Sequence, residues 1–259
     1  MRVAIAGAAG RMGTTLIEAV RADRELELVA ALEAAGNPAL GRDAGGVKVS
    51  ADVAAAARAA DVLIDFTRPA GALAHLDACV EARKAMVIGT TGFADAELRR
   101  IREGAQRIPV VLAPNFAVGV NVFFKLAETA ARALGDAYDI EIIEAHHRHK
   151  VDAPSGTALR LGELIAKALS RDLRAVATHG RRGEPGARPP LEIGFHAIRG
   201  GDIVGEHTVL FAGEGERLEV VVRTQSRMTY ARGALRAAKF LRGRSPALYD
   251  MGDVLGLKQ

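Results

Sequence analysis

The residues best equipped for chemistry crowd into one segment, Glu144-Ala145-His146-His147-Arg148-His149-Lys150-Val151-Asp152-Ala153-Pro154-Ser155-Gly156-Thr157. From His146 to Lys150 every side chain is cationic or protonatable, and the run leads directly into a helix start. The imidazoles of His146, His147 and His149 can exchange protons near neutral pH, while Arg148 and Lys150 supply fixed positive charge. Ser155-Gly156-Thr157 offers main-chain N–H groups at the helix N-terminus, where anions bind. Charge, proton donor and anion cradle are thus contiguous, which suits binding and protonating a small polyanion. The competing reading of such a stretch is a solvated basic loop. A zinc site made from the three imidazoles is disfavoured, because strand alternation turns neighbours to opposite faces and no carboxylate or thiolate completes the set; no metal is expected.

The elements that must position this segment begin with a buried strand over residues 2–6 and a glycine-rich turn, Gly7-Ala8-Ala9-Gly10-Arg11-Met12-Gly13, that opens a helix. Glycines there let the backbone approach a pyrophosphate, whose charge the helix N-terminus favours. The spacing is G-x-x-G-x-x-G, a weak signal alone. It gains weight from the strands and helices that alternate after it, and from Glu33 at the end of the second strand, where a carboxylate would hold an adenosine ribose. Two further turns at strand C-termini, Gly89-Thr90-Thr91-Gly92 and Ala113-Pro114-Asn115-Phe116, lie where open parallel sheets bind ligands. Alternation of strand and helix up to residue 112 implies right-handed βαβ units and a parallel sheet. A cofactor 2′-phosphate is usually met by a cation beside the acidic residue, yet Ala34 and Ala35 stand there. NADH is therefore expected over NADPH, with Arg11 the only nearby cation that could serve NADPH.

After Asn115 the pattern changes. Residues 118–134 read as one amphipathic helix, residues 139–145 as a strand, and 155–169 as a second helix. Residues 181–190 are too rich in Gly, Pro and charge to pack and read as an exposed, solvated loop. Three alternating runs, 191–198, 203–211 and 217–224, separated by glycine turns, predict an antiparallel meander. A helix over 230–241 follows it and can return to the first domain, while 251–259 carries too little pattern to assign. The division expected is residues 1–117 for dinucleotide binding, 118–226 for substrate, and 227–259 returning to the first. The fold class is α/β, a Rossmann-type parallel sheet domain plus an α+β substrate and oligomerisation domain with a mostly antiparallel sheet.

Bulk properties bound the function. The 259 residues are 49% hydrophobic and 25% charged, enough for a sizeable core in one or two domains. A formal charge of +4 with acidic residues interspersed throughout favours small anionic ligands over nucleic acid. The lone Cys79 excludes an internal disulfide. No signal-peptide pattern and no bilayer-spanning apolar run are found, so a soluble cytoplasmic protein without membrane partners is expected.

Several stretches resemble the 4-hydroxy-tetrahydrodipicolinate reductase family, also called dihydrodipicolinate reductase: Val3 through Gly13, Ile64-Asp65-Phe66-Thr67-Arg68-Pro69, Val87 through Phe93, Glu144 through Thr157, Gly201 through Thr208, and Ser226-Arg227-Met228-Thr229. The resemblance spans essentially the whole chain, and its most specific part is Glu144 through Thr157. It implies NADH- or NADPH-dependent reduction of a cyclic unsaturated imine dicarboxylate in diaminopimelate and lysine synthesis, by a homotetramer assembled through the antiparallel sheets. It implies His146 as proton donor or acceptor and Lys150 as second proton donor, with His147, Gly156 and Thr157 binding substrate; Ser155 joins them as part of the helix start. Gly7, Ala8, Ala9, Gly10, Arg11, Met12, Glu33, Gly89, Thr90, Thr91, Ala113, Pro114, Asn115 and Phe116 correspond to cofactor contacts. Ala34 replaces an arginine of members that accept NADPH well, and Pro114 varies the nicotinamide turn. The alternatives are a Rossmann-type redox sensor, which would not need clustered proton donors, and an amino-acid or hydroxy-acid dehydrogenase, which would lack the Glu144 to Thr157 string.

Overall fold

Val3-Ala4-Ile5-Ala6, Val62-Leu63-Ile64 and Met86-Val87-Ile88 are apolar without alternation, as strands covered on both faces are. In the computed structural model, which describes residues 1–258, all of them are fully buried in one parallel sheet. The chain runs β1 (Arg2–Ala6), α1 (Arg11–Ala22), β2 (Glu27–Leu32), β3 (Val49–Ser50), α2 (Val53–Ala59), β4 (Val62–Asp65), α3 (Pro69–Ala82), β5 (Ala85–Ile88), α4 (Asp95–Ala105) and β6 (Pro109–Leu112). It continues through α5 (Val118–Leu134), β7 (Asp139–His146), α6 (Gly156–Ala168), α7 (Leu173–Val176), β8 (Ala177–His179), β9 (Ile193–Arg199), β10 (Gly205–Ala212) and β11 (Arg217–Thr224). Last come α8 (Met228–Phe240), β12 (Ala247–Tyr249) and α9 (Met251–Leu255).

Two compact units result, one from residues 1–118 with the chain from Arg227 onward, the other Gly119–Ser226. The first holds a seven-stranded parallel sheet in the order β12-β6-β5-β4-β1-β2-β3. Strand order reverses beside β1, so the carboxyl ends of β1 and β4 flank a topological switch point, where open α/β sheets bind ligands. Leu16, Ile17 and Val20 of α1 and Ala234, Leu235 and Ala238 of α8 cover one sheet face; Ala56, Leu76 and Ile101 of α2, α3 and α4 cover the other. After α8 the chain forms β12, paired with β6, and the segment left unassigned from sequence contains α9, capped by Asp250 Oδ1 accepting from Asp253 N at 3.1 Å. Gln259 lies outside the described residues.

The second unit holds a mixed five-stranded sheet, β11-β10-β7-β9-β8, in which β10 pairs antiparallel with both β11 and β7. The meander expected over its last three strands is corrected here. β9 does not pair with β10; β7 lies between them and pairs with β9 in parallel. Alternation reveals which face of a strand is buried, not which strand lies beside it. Phe123 and Ala127 of α5 and Leu161 and Ile165 of α6 pack on Ile142, Phe195, Val209 and Phe211 of the sheet. The basic loop after β8 is also more ordered than solvation alone requires. Arg188 donates to Glu141 at 2.9 Å, to Asp139 at 2.7 Å and to the Glu192 carbonyl at 2.7 Å, and Arg181 donates to Glu141 and Glu192.

Candidate active site

In the first unit, the residues singled out for the cofactor stand on one edge of the sheet, at the carboxyl ends of β1, β2, β5 and β6. Gly7 takes a φ of 74°, which a side chain resists, and the Gly7 and Ala8 N–H groups donate to the Leu32 carbonyl at 2.9 and 3.0 Å. A Cβ at Gly13 would collide with the Gly7 carbonyl, so glycine there lets α1 sit tightly against the turn. Gly10 caps α1 with no side-chain bond, leaving its amide end open for a phosphate. Glu33 Oε1 accepts from Ala9 N at 2.8 Å, and Oε2 accepts from Asn37 Nδ2 at 3.0 Å, which fixes the carboxylate beside the turn. These features fit a dinucleotide: a cradle with no room for side chains, an open helix end and an oriented carboxylate. Arg11 is exposed and Met12 packs against the core.

The neighbouring turns are fitted together. The Phe66 ring occupies the place a Cβ of Gly89 would take and lies 5.5 Å from the Phe116 ring, centroid to centroid. Thr90 and Phe116 are buried, whereas Thr91 and Pro114 are exposed. Asn115 Oδ1 accepts from Ala117 N at 2.8 Å, closing the turn after β6.

In the second unit β7 delivers Glu144 and His146 to one face, two residues apart. Both are buried, and His146 Nδ1 lies 2.6 Å from Glu144 Oε2. Arg199, at the end of the parallel neighbour β9, donates to both Glu144 oxygens at 2.7 Å and to the Asp152 carbonyl at 2.7 Å. Glu144 Oε1 also accepts from Ser155 N at 3.1 Å. Burial alone would raise the Glu144 carboxyl, but the hydrogen bonds from Arg199 and His146 hold it below the usual range. An ionised Glu144 must accept, so His146 carries its proton on Nδ1 and presents Nε2 for exchange. Burial lowers His146; Glu144 opposes that, while the charges of Lys150 and Arg199 lower it further.

Lys150 Nζ donates to Asp152 Oδ1 at 2.8 Å and is only one-fifth exposed, a cation whose charge acts on the His146 imidazole. His147 Nδ1 is buried without a hydrogen-bond partner among the described residues, so it is open to a ligand. Gly156 opens α6 with nothing within 4 Å of a would-be Cβ, and Thr157 follows it half-buried. Ser155 differs from the expectation in one respect: its hydroxyl faces inward, accepting from Ala158 N at 3.2 Å and bonding His207 Nε2 at 3.0 Å. The Ser155 main-chain N–H donates to Glu144 Oε1, so the helix start offers a ligand the N–H groups of Gly156 and Thr157. His207 stands edge-on to His146, ring centroids 5.2 Å apart.

Residues 1–116 match the family described as dihydrodipicolinate reductase, N-terminus, and residues 119–255 match dihydrodipicolinate reductase, C-terminus. The chain belongs to the dihydrodipicolinate reductase family. It is 57% identical over 265 residues to 4-hydroxy-tetrahydrodipicolinate reductase of Thiobacillus denitrificans, covering 100% of this chain and 99% of that one. It is 58% identical to the same-named protein of Aromatoleum aromaticum, with 100% and 96% covered. Among solved structures it resembles the dipicolinate-bound dihydrodipicolinate reductase from Paenisporosarcina sp. TG-14, with a TM-score of 0.79 at 28% identity and 98% of each chain covered. A probable dehydrogenase from Thermotoga maritima, TM-score 0.63 at 12% identity, shares the fold alone. The family resemblance and the fold class read from the motifs are both confirmed.

Sequence reasoning missed the parts that hold the reductase site in shape. Glu144 was quoted in the motif but given no role, although a Glu and a His two apart on a strand share a face. Arg199 carried no local signal, and His207, within the stretch Gly201 through Thr208, was given no role, because each meets the Glu144 to Thr157 segment only across more than fifty residues.

Proposed function

We propose that the chain catalyses the NAD(P)H-dependent reduction of 4-hydroxy-tetrahydrodipicolinate, by way of dihydrodipicolinate, to tetrahydrodipicolinate, the reaction its relatives' name describes. The observation that carries this reading is the buried Glu144–His146 pair with Lys150 beside it and the open start of α6 following in the same loop. A bound nicotinamide supplies a hydride. Hydride addition to a conjugated imine leaves negative charge on the remaining π system, which one proton must neutralise. His146 Nε2 and Lys150 Nζ are the groups of this site suited to pass that proton, and a dianionic substrate beside His146 would raise its lowered proton affinity. His147 and the main-chain N–H groups of Gly156 and Thr157 receive the carboxylates.

Gly7 to Met12 would hold the pyrophosphate, Glu33 the adenosine ribose, and Gly89 to Thr91 with Ala113 to Phe116 the nicotinamide end. The preference is for NADH. A 2′-phosphate would meet the oriented Glu33 carboxylate, and Ala34 offers it no cation.

The protein is read as a cytoplasmic homotetramer. Its support is the sheet face opposite α5 and α6, where Val221 and Thr208 are cross-strand partners and Ile198 is 52% exposed. Light scattering at four times the chain mass of 27.3 kDa is expected; a monomer would remove this assignment. Among the described residues no helix is long and apolar enough to cross a membrane.

The deciding assay follows NADH, then NADPH, absorbance while a synthase generates the ring substrate in place from pyruvate and aspartate semialdehyde. Oxidation that requires both synthase and protein, faster with NADH, supports the reading. Intact dinucleotide binding without oxidation of either cofactor would move the assignment to a redox sensor.

A further inference from the structure

Asp65, the last residue of β4, is fully buried, yet it lies outside the machinery assigned above. Carboxylates are almost never fully buried without partners, and this one has a complete set. Its Oδ1 accepts from the Thr90 hydroxyl at 2.6 Å, from Thr67 N at 3.1 Å and from the Thr67 hydroxyl at 3.0 Å; its Oδ2 lies 2.5 Å from His75 Nδ1. Thr67 N also donates to Thr90 Oγ1 at 2.8 Å, so the Thr90 hydroxyl accepts on one side and donates on the other. The Asp65 carbonyl accepts from Gly89 N at 2.8 Å. Asp65 therefore grips the turn after β5 through both its main chain and its side chain.

The residues that follow Asp65 extend the grip to the other turns. Phe66 fills the space over Gly89 and meets Phe116, while a Cβ on Gly7 would come within 3.1 Å of Thr67 Cγ2 and 3.2 Å of the Phe66 carbonyl. The turns after β1, β5 and β6 thus all abut residues 65–67. An apolar side chain at position 65 would extend the run Val62-Leu63-Ile64 and fill the core without needing partners. An acceptor there orients Thr90 together with Thr67 and His75, and of these only Thr90 belongs to the turn read as a cofactor contact.

We infer that Asp65 is a positioning residue of the cofactor site: by binding the Thr90 hydroxyl it turns that side chain inward and presents the Gly89-Thr90-Thr91 main chain to the nicotinamide end of the cofactor. The inference rests on the proposed cofactor reading of that turn. It assigns Thr90 a role through its backbone, with its hydroxyl serving the protein.

The test is NADH binding, read from the cofactor's own fluorescence, with kcat measured at saturating NADH. Asp65→Val removes the acceptor, and Asp65→Asn keeps an oxygen toward Thr90. Thr90→Val and Thr90→Ser remove and keep the hydroxyl. Expected is a Kd raised roughly tenfold or more in Asp65→Val and Thr90→Val, the size of one lost hydrogen bond to a charged group. Asp65→Asn and Thr90→Ser should stay within about threefold of the parent, and the double valine variant should bind no worse than either single one. Parent-like Kd in Asp65→Val, or Asp65→Asn as impaired as Asp65→Val, overturns the inference. If circular dichroism shows Asp65→Val unfolded, Thr90→Val decides alone, and parent-like binding there overturns it too. Absence of NADH and NADPH binding in the unaltered protein would instead overturn the cofactor reading.

Discussion

Glu144 Oε2 and His146 Nδ1 face each other across 2.6 Å in the buried end of β7, with Arg199 clamping both oxygens of the same carboxylate. The pair fixes which imidazole nitrogen is free, and in the proposed mechanism Nε2 is the one that exchanges the proton. Glu144→Gln should lower kcat by roughly 10²-fold while moving the substrate KM little, since it disturbs the tautomer and not the carboxylate cradle. It should also lower the melting temperature, because Arg199 loses its partner. An unchanged kcat would make the pair a purely structural contact.

Lys150 carries the ammonium nearest to His146 in sequence and is held by Asp152. Lys150→Ala should reduce kcat by roughly 10²- to 10⁴-fold, the span of a lost proton donor, with NADH affinity unaltered. Steady-state rates and NADH titration check both halves; parent-like turnover removes Lys150 from the mechanism.

His207 gives a pH signature. Burial pushes its imidazole down to about 4, and the charge of His146 acts in the same direction. Between that value and the ordinary 6.5 the unfolded chain binds a proton that the folded chain refuses. The stability it contributes is therefore complete above 6.5 and declines as pH falls toward 4. Urea midpoints across that interval should slope, and His207→Asn should flatten the slope. Equal slopes in both proteins would show that His207 titrates normally.

Cofactor choice turns on Ala34, next to the oriented Glu33. Ala34→Arg should raise kcat/KM for NADPH by about tenfold, one charge-assisted contact, with the NADH value little changed. No gain with NADPH would mean that position 34 does not reach the 2′-phosphate.

The parallel sheet was legible because its signals are local: continuous apolar strands, glycines where no Cβ fits, and Glu33 at a strand end. The segment proposed as catalytic was legible because its side chains are consecutive. What stayed hidden depends on pairing. The insertion of β7 beside β9, and hence the meeting of Glu144 with Arg199, follows from sheet order, which alternation does not encode. Arg181 and Arg188 looked solvated for the same reason, since Glu141 lies forty and more residues away. By contrast the tail held a readable cue: Asp250 and Asp253 form a reciprocal cap, with Asp250 N donating to Asp253 Oδ2 at 2.8 Å.

The pairing of β12 with β6, Ala247 opposite Pro109, has a consequence for biosynthesis. The unit Gly119–Ser226 is one uninterrupted stretch and has every strand of its sheet as soon as it leaves the ribosome. The parallel sheet, begun earlier, must wait with β6 as a bare edge until residues 247–249 emerge. An interrupted translation product ending before them would keep that edge open, a template for pairing with another chain. Residues 247–249 thus cover the edge that residues 109–111 would otherwise leave bare.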